Sequence, residues 1–243
     1  MWSVLDGWQQ AWLGVLLALW AVLLFGGFIA GKEDNQHSRR MPIWTRMLSS
    51  LALVVAGWSW YAFSRETPSA LLQLCVAAGM TLGLVGDLFM ARLIPVRNHV
   101  LGGIGAFGVG HVLYIIGLIW YSGATRLNAP AVRWGGLVIW QLIGVTGWYV
   151  MVFRGQQAGL LHYAALPYAL LLAGTAGIAT GLALQQPAFT GMALGAALFL
   201  LSDLILAGEL FSGLRFRLIG DFVWLTYGPG QMLIVYGAAL ALA

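Results

Sequence analysis

The chain reads as long apolar runs broken by short polar punctuation. A run of roughly 20 mostly apolar residues is long enough to cross a bilayer as a helix. Eight such spans are predicted, over 11–30, 46–63, 69–91, 99–121, 133–153, 163–184, 189–211 and 221–242. Between the sixth and seventh the only turn signal is Gln185, Gln186 and Pro187, because 155–202 holds no Asp, Glu, Lys or Arg. The loops leave no room for a soluble domain. The expected fold class is therefore all-α, a polytopic integral membrane helical bundle with eight transmembrane helices, forming a single transmembrane domain over 1–243.

Composition strengthens that reading. Only 8% of the 243 residues are charged and 60% are hydrophobic, whereas soluble domains carry about a quarter charged residues. A single cysteine, Cys75, excludes an intrachain disulfide. The first ten residues hold Asp6 and no Lys or Arg. A secretory signal starts with a basic segment, so the first run is expected to be a retained span.

Charge changes the picture by giving an orientation. Lys32, Arg39, Arg40, Arg46, Arg92, Arg97, Arg154, Arg215 and Arg217 fall on one side of the predicted bundle, and Arg65, Arg126 and Arg133 on the other. The positive-inside rule puts the richer side in the cytoplasm and both termini outside it. The expected location is the cell inner membrane. The net charge of +4 then reflects topology, and no nucleic-acid partner is implied.

Two carboxylates inside spans carry the candidate chemistry. Asp87 lies in the third span and Asp203 in the seventh. A charge at that depth costs several kcal/mol unless it faces protein or water, so it marks a functional site by default. Helix neighbours stand three and four residues apart. Steps of four from Asp87 reach Gly83, Gly79 and Ala91; steps from Asp203 reach Phe199, Gly195, Gly191 and Ala207. Such stripes let helices pack closely, so both carboxylates should point into the bundle. At 1.5 Å per residue Asp87 lies roughly 6–8 Å and Asp203 roughly 12–14 Å from the cytoplasmic helix ends, and His111 roughly 18 Å in. Tyr114 in the fourth span and Tyr227 and Gln231 in the eighth join the same half of the membrane.

Blander roles compete. Asp87 could pair with Arg92, Ser202 could be a packing hydroxyl, and His111 an interior hydrogen-bonded histidine. Tyr114 and Tyr227 could be packing residues. Glu209 and Asp221 read as solvated helix ends, and the tryptophans mostly as interfacial anchors. A faint internal echo aligns GHVLYIIG (110–117) with GQMLIVYG (230–237), each preceded by an aspartate-bearing span. A four-plus-four repeat would place the aspartates symmetrically.

Five segments in order carry a resemblance: GDLFM (86–90), GIGAFGVGHVLY (103–114), ALPYALLL (165–172), GAALFLLSDLILA (195–207) and TYGPGQMLIVYG (226–237). In these the chain resembles the YhhN-like lysoplasmalogenase family of eight-span membrane proteins, from the third span onward. The family's basic-residue–proline start of the second span is absent, because Met47 follows Arg46, and nothing functional carries over there. The resemblance implies cleavage of the vinyl ether bond of a lysoplasmalogen to a fatty aldehyde and glycerophosphocholine or glycerophosphoethanolamine. It implies Asp87 and Asp203 as the acidic pair.

The chemistry suits two carboxyl groups. Vinyl ether hydrolysis needs an acid beside the double bond and a carboxylate near the oxocarbenium ion, the demands glycosidases meet with a carboxyl pair. A close buried pair of this kind holds one proton between its members near neutrality. His111, Tyr114, Ser202, Tyr227 and Gln231 are then the expected substrate contacts or hydrogen-bonding neighbours of the pair. The expected partners are a lysophospholipid and membrane lipid; no metal or organic cofactor is required. The alternative class is a proton-coupled transporter or lipid carrier using the same carboxylates. Transporters often carry paired Gly or Pro interruptions of their helices. Pro229 between Gly228 and Gly230, and Pro167, are such interruptions but do not stand in corresponding positions of the two halves, which favours the hydrolase.

Overall fold

The computed structural model describes residues 5–240, and these fold as eight α-helices with short connections. They are α1 (Gly7–Ala30), α2 (Ile43–Phe63), α3 (Ala70–Met90), α4 (His99–Ala124), α5 (Pro130–Trp148), α6 (Leu160–Ala183), α7 (Thr190–Phe211) and α8 (Ile219–Leu240). A π-helical turn, Tyr149–Phe153, extends α5, and a 3₁₀ turn, Pro187–Phe189, leads into α7. The final two residues of the predicted eighth span lie outside the described residues.

Four helices, α1, α2, α5 and α6, begin about a turn earlier than their apolar runs, and local start signals define several of the ends. Gln9 accepts the Asp6 backbone N–H at the start of α1. Asn98 accepts the Leu101 N–H at 3.0 Å ahead of α4, a regular N-cap. Pro130 occupies the first turn of α5, where its missing N–H leaves no bond unmade.

Six helices are long and apolar enough to cross a membrane: α1, α3, α4, α5 with its π turn, α6, and α7 with its 3₁₀ turn. This is a multi-pass membrane protein. The α2 and α8 helices fall short of that apolarity for a visible reason. Thr45, Arg46, Ser49 and Ser50 of α2 are buried, as are Asp221 and Gln231 of α8. Their polar groups face the bundle, and α2 and α8 pack on each other.

Consecutive helices pack on each other except α4 and α5, where α4 packs on α6 instead; the α3–α4 and α7–α8 hairpins pack most intimately. The two hairpins close in the same way. A Cβ added to Gly110 would stand 3.0 Å from the Gly79 carbonyl oxygen; one added to Gly195 would stand 2.6 Å from that of Gly230. Gly79 precedes Asp87 by eight residues, and Gly195 precedes Asp203 by eight. Gly110 and Gly230 are the paired glycines of the internal echo. The echo therefore corresponds to one helix crossing used twice, with an aspartate two turns beyond it each time.

The interior prolines do not break their helices. Both α6 and α8 run on through Pro167 and Pro229, so the interruptions expected of a transporter are not formed there. Tryptophan placement is also mixed. Trp8, Trp44 and Trp134 are exposed as anchors would be, whereas Trp20, Trp60 and Trp224 are core residues.

Asp221 is not a solvated helix end. It is fully buried and accepts the backbone N–H groups of Arg40 at 2.6 Å and Met41 at 3.0 Å. That ties the α1–α2 loop onto the start of α8. Farther out, Glu33 takes both Nε and Nη2 of Arg217, which holds its carboxyl down at about 2, with His37 adding to the effect.

Candidate active site

Asp87 sits in the last turn of α3 and is only 4% exposed. The Ser50 hydroxyl, from α2, donates to its Oδ2 at 2.5 Å. The Tyr227 hydroxyl, from α8, faces the same cavity as this carboxylate, beside it. Tyr227 itself accepts the Gln231 amide at 2.5 Å from one turn along α8. The pairing with Arg92 does not form: Arg92 is exposed, and no ion pair to Asp87 exists among the described residues.

Asp203, on α7, is held from the other half of the bundle. Tyr168, from α6, donates to its Oδ2. Ser202 bonds the Phe199 carbonyl at 2.9 Å and reaches Asp203 Oδ1 at 3.3 Å. It is thus both a packing hydroxyl and a neighbour of the carboxylate. Each aspartate takes a hydroxyl from the helix preceding its own.

Both carboxylates line one polar cavity of about 90 Å³. Arg39, Arg46, Glu209, Trp224 and Tyr227 share its wall. It lies at the end of the bundle where the α1–α2 loop and the start of α8 meet. A second, almost wholly apolar groove of about 70 Å³ runs between α4, α6, α7 and the π turn. Ile104, Val152, Ala165, Leu172, Ala207 and Leu210 are among its lining residues. The two spaces share Met90, Phe107, Asp203 and Leu206. Asp203 therefore stands where a polar compartment meets an apolar one.

Phe107 stands with Met90 and Leu206 between the two spaces, and the glycine of the Gly86–Asp87 pair explains how it fits. A Cβ on Gly86 would lie 2.6 Å from the Phe107 ring. The ring is fixed edge-on by Phe199 at 5.9 Å and Tyr227 at 6.0 Å between centroids.

The YhhN family profile matches residues 41–238, from just before α2 to the last turns of α8. The chain belongs to the YhhN family. No curated protein and no solved structure was found to match it. The family match includes α2, so the relationship begins earlier than the third span.

That earlier start bears on the site. Arg46, to which sequence alone gave no functional part, is buried and faces the carboxylates' cavity. Glu209 is half-buried on the same wall, not a freely solvated helix end. Conversely, His111 and Tyr114 line neither compartment. His111 is 1% exposed, its Nδ1 is 2.9 Å from the Thr175 hydroxyl, and its ring packs edge-on against Phe199 and Tyr114. Tyr114 packs against Gly79 at the helix crossing. Gln231 and Ser202 also lie off the walls and touch the site only through Tyr227 and Asp203.

Sequence reasoning missed Tyr168, Ser50, Arg39 and Arg46. Tyr168 stands inside ALPYALLL but carries no charge to single it out. The signal for α2 was present: Arg46 and Ser50 are four apart, and Thr45 and Ser49 beside them repeat the same spacing. Among the described residues, no three His, Cys, Asp or Glu side chains come together.

Proposed function

We propose that this protein is an intramembrane hydrolase that cleaves the vinyl ether bond of a lysoplasmalogen. Family membership supports a lysoplasmalogenase-type activity. The observation that carries the reading is the position of Asp203, on the walls of both the polar and the apolar compartment. A single-chain ether phospholipid has the same division, with its reactive bond at the junction. A groove of about 70 Å³ holds the first few methylene groups, and the remaining chain lies along the bundle in lipid.

In this mechanism Asp203, as the carboxylic acid, protonates the alkene carbon that does not bear oxygen. Tyr168 fixes its orientation. The resulting oxocarbenium ion is stabilised by the Asp87 carboxylate, which Ser50 holds in place with Tyr227 beside it. Asp87 then takes a proton as water adds to the cationic carbon. It next gives that proton to the glycerol oxygen while Asp203 takes the proton of the hemiacetal hydroxyl. The C–O bond so breaks to the fatty aldehyde and the glycerol hydroxyl of a glycerophosphodiester, and both carboxyl groups return to their starting states. His111 and Tyr114 act by packing the aromatic wall behind Phe199 and Tyr227. All eight helices cross the membrane in this reading, with the polar faces of α2 and α8 turned inward and the arginine-rich loops in the cytoplasm.

The test is to incubate the purified protein with vinyl ether, alkyl ether and acyl lysophospholipids of one chain length. Aldehyde release from the vinyl ether alone is expected. Fatty acid release from the acyl lipid, or no product from any, would overturn the reading.

A further inference from the structure

The polar compartment holds two arginines, and among the described residues neither forms an ion pair with the three carboxylates on its wall, Asp87, Asp203 and Glu209. Arg46 is 7% exposed, its guanidinium lies 5.4 Å from the Trp224 ring centroid, and its buried Nε has no hydrogen-bond partner. Arg39, from the α1–α2 loop, lines the same wall, and its Nε is also buried without a partner. The side-chain ion pairs of the described residues are those of Glu33 with His37 and Arg217. Asp87 and Asp203 are taken up by hydroxyl donors, and Asp221 by backbone N–H groups.

The two arginines are also held in place. Asp221 clamps the backbone of Arg40 and Met41, directly between them in sequence. The Gly220 N–H bonds the Ser38 carbonyl at 2.8 Å. A Cβ on Gly220 would come within 2.9 Å of Arg39 Nε, so the missing side chain is what admits the guanidinium. Leaving a buried donor unpaired costs free energy, and Asp87 and Asp221 attract Arg46 without taking its Nε–H. Two fixed guanidinium groups with free donors on one cavity wall match the oxygens of a phosphate group, which arginine forks bind bidentately.

We propose that Arg39 and Arg46 form a cradle for the phosphodiester of the substrate headgroup. This deepens the lipid reading above and rests on it for the identity of the phosphate's carrier. The cradle shares its compartment with Asp87 and Asp203, so anchoring the phosphate there sets how far the ether carbon reaches along the wall. The chain then leaves through the apolar groove past Asp203.

Binding tests this without turnover. The probes are a saturated 1-alkyl lysophosphatidylcholine, the phosphate-free 1-alkylglycerol of the same chain, glycerophosphocholine without a chain, and inorganic phosphate. Each is titrated below its micelle concentration against the full-length protein in a non-ionic detergent, by calorimetry. The phosphate-bearing alkyl lipid is expected to bind at least about tenfold more tightly than the alkylglycerol, as one charged hydrogen bond implies. Arg46→Gln and Arg39→Gln should each remove most of that preference and leave alkylglycerol binding unchanged. Arg46→Lys, which keeps the charge, should retain part of it and guards against a folding defect in the glutamine variant.

Equal affinity for the two chain-bearing lipids, or an unchanged preference in well-folded Arg46→Gln and Arg39→Gln proteins, would overturn the cradle. Inorganic phosphate binding as tightly as the alkyl lysolipid would overturn its assignment to a lipid headgroup. Absence of aldehyde release from a vinyl ether lipid, with the phosphate preference intact, would instead sink the hydrolase reading and leave the cradle standing.

Discussion

The Ser50 hydroxyl donates to the Asp87 carboxylate at 2.5 Å across the α2–α3 interface. Tyr168 stands in the same relation to Asp203 across α6 and α7. These donors orient the two carboxyl groups whichever one carries the proton. Tyr168→Phe and Ser50→Ala are each expected to lower kcat by roughly tenfold with little change in KM, the loss of one orienting hydrogen bond. Steady-state aldehyde release checks this; a change in KM alone would assign both hydroxyls to binding.

The partition between compartments depends on Gly86. A side chain there meets Phe107 at 2.6 Å and must push the ring into one compartment or the other. Gly86→Val should cut turnover strongly. The same bulk at Gly105, where a Cβ meets nothing within 4 Å, should leave activity near the parent value.

Helix crossing and stability are linked at Gly195. An added methyl group lies 2.6 Å from the Gly230 carbonyl oxygen, a backbone atom that cannot swing aside. Gly195→Ala should destabilise the protein by about 1–3 kcal/mol, the usual cost of overpacking. Gly14→Ala, in open space on α1, should be neutral or mildly stabilising, since alanine favours helix over glycine. Thermal unfolding in detergent compares the two.

The groove makes a prediction about chain binding. Ala207 lies one turn beyond Asp203 and lines the apolar space. Ala207→Phe fills that space and should raise KM several-fold while kcat falls less. An unchanged KM would mean that the chain takes another route.

Much of this fold was legible because apolar periodicity is hard to mistake. The eight helices sit where the eight runs predict them, with ends moved by local signals such as Asp6 with Gln9 on α1 and Pro130 on α5. The count of apolar spans was less legible. In α2 and α8, buried polar residues lower the average, and only packing reveals that Ser50 and Gln231 face inward. At the site, Asp87 and Asp203 announced themselves by charge in an apolar setting. Their hydroxyl donors did not, since one serine or tyrosine among many has no sequence signal of its own. His111 misled for the opposite reason: an uncommon residue at depth suggests chemistry, yet its partner is Thr175 and its place is behind the aromatic wall.

The central claim is that two carboxyl groups on one cavity perform the hydrolysis. Asp87→Asn and Asp203→Asn keep shape and hydrogen-bond acceptance while removing ionisation, and an amide in place of a buried charge leaves folding intact. The deciding measurement is aldehyde release from a vinyl ether lysophospholipid by each purified, folded variant. The account predicts a fall of roughly 100- to 10,000-fold in kcat for each, the usual contribution of a positioned acid or base. A folded Asp203→Asn protein that releases aldehyde at near the parent rate would contradict it.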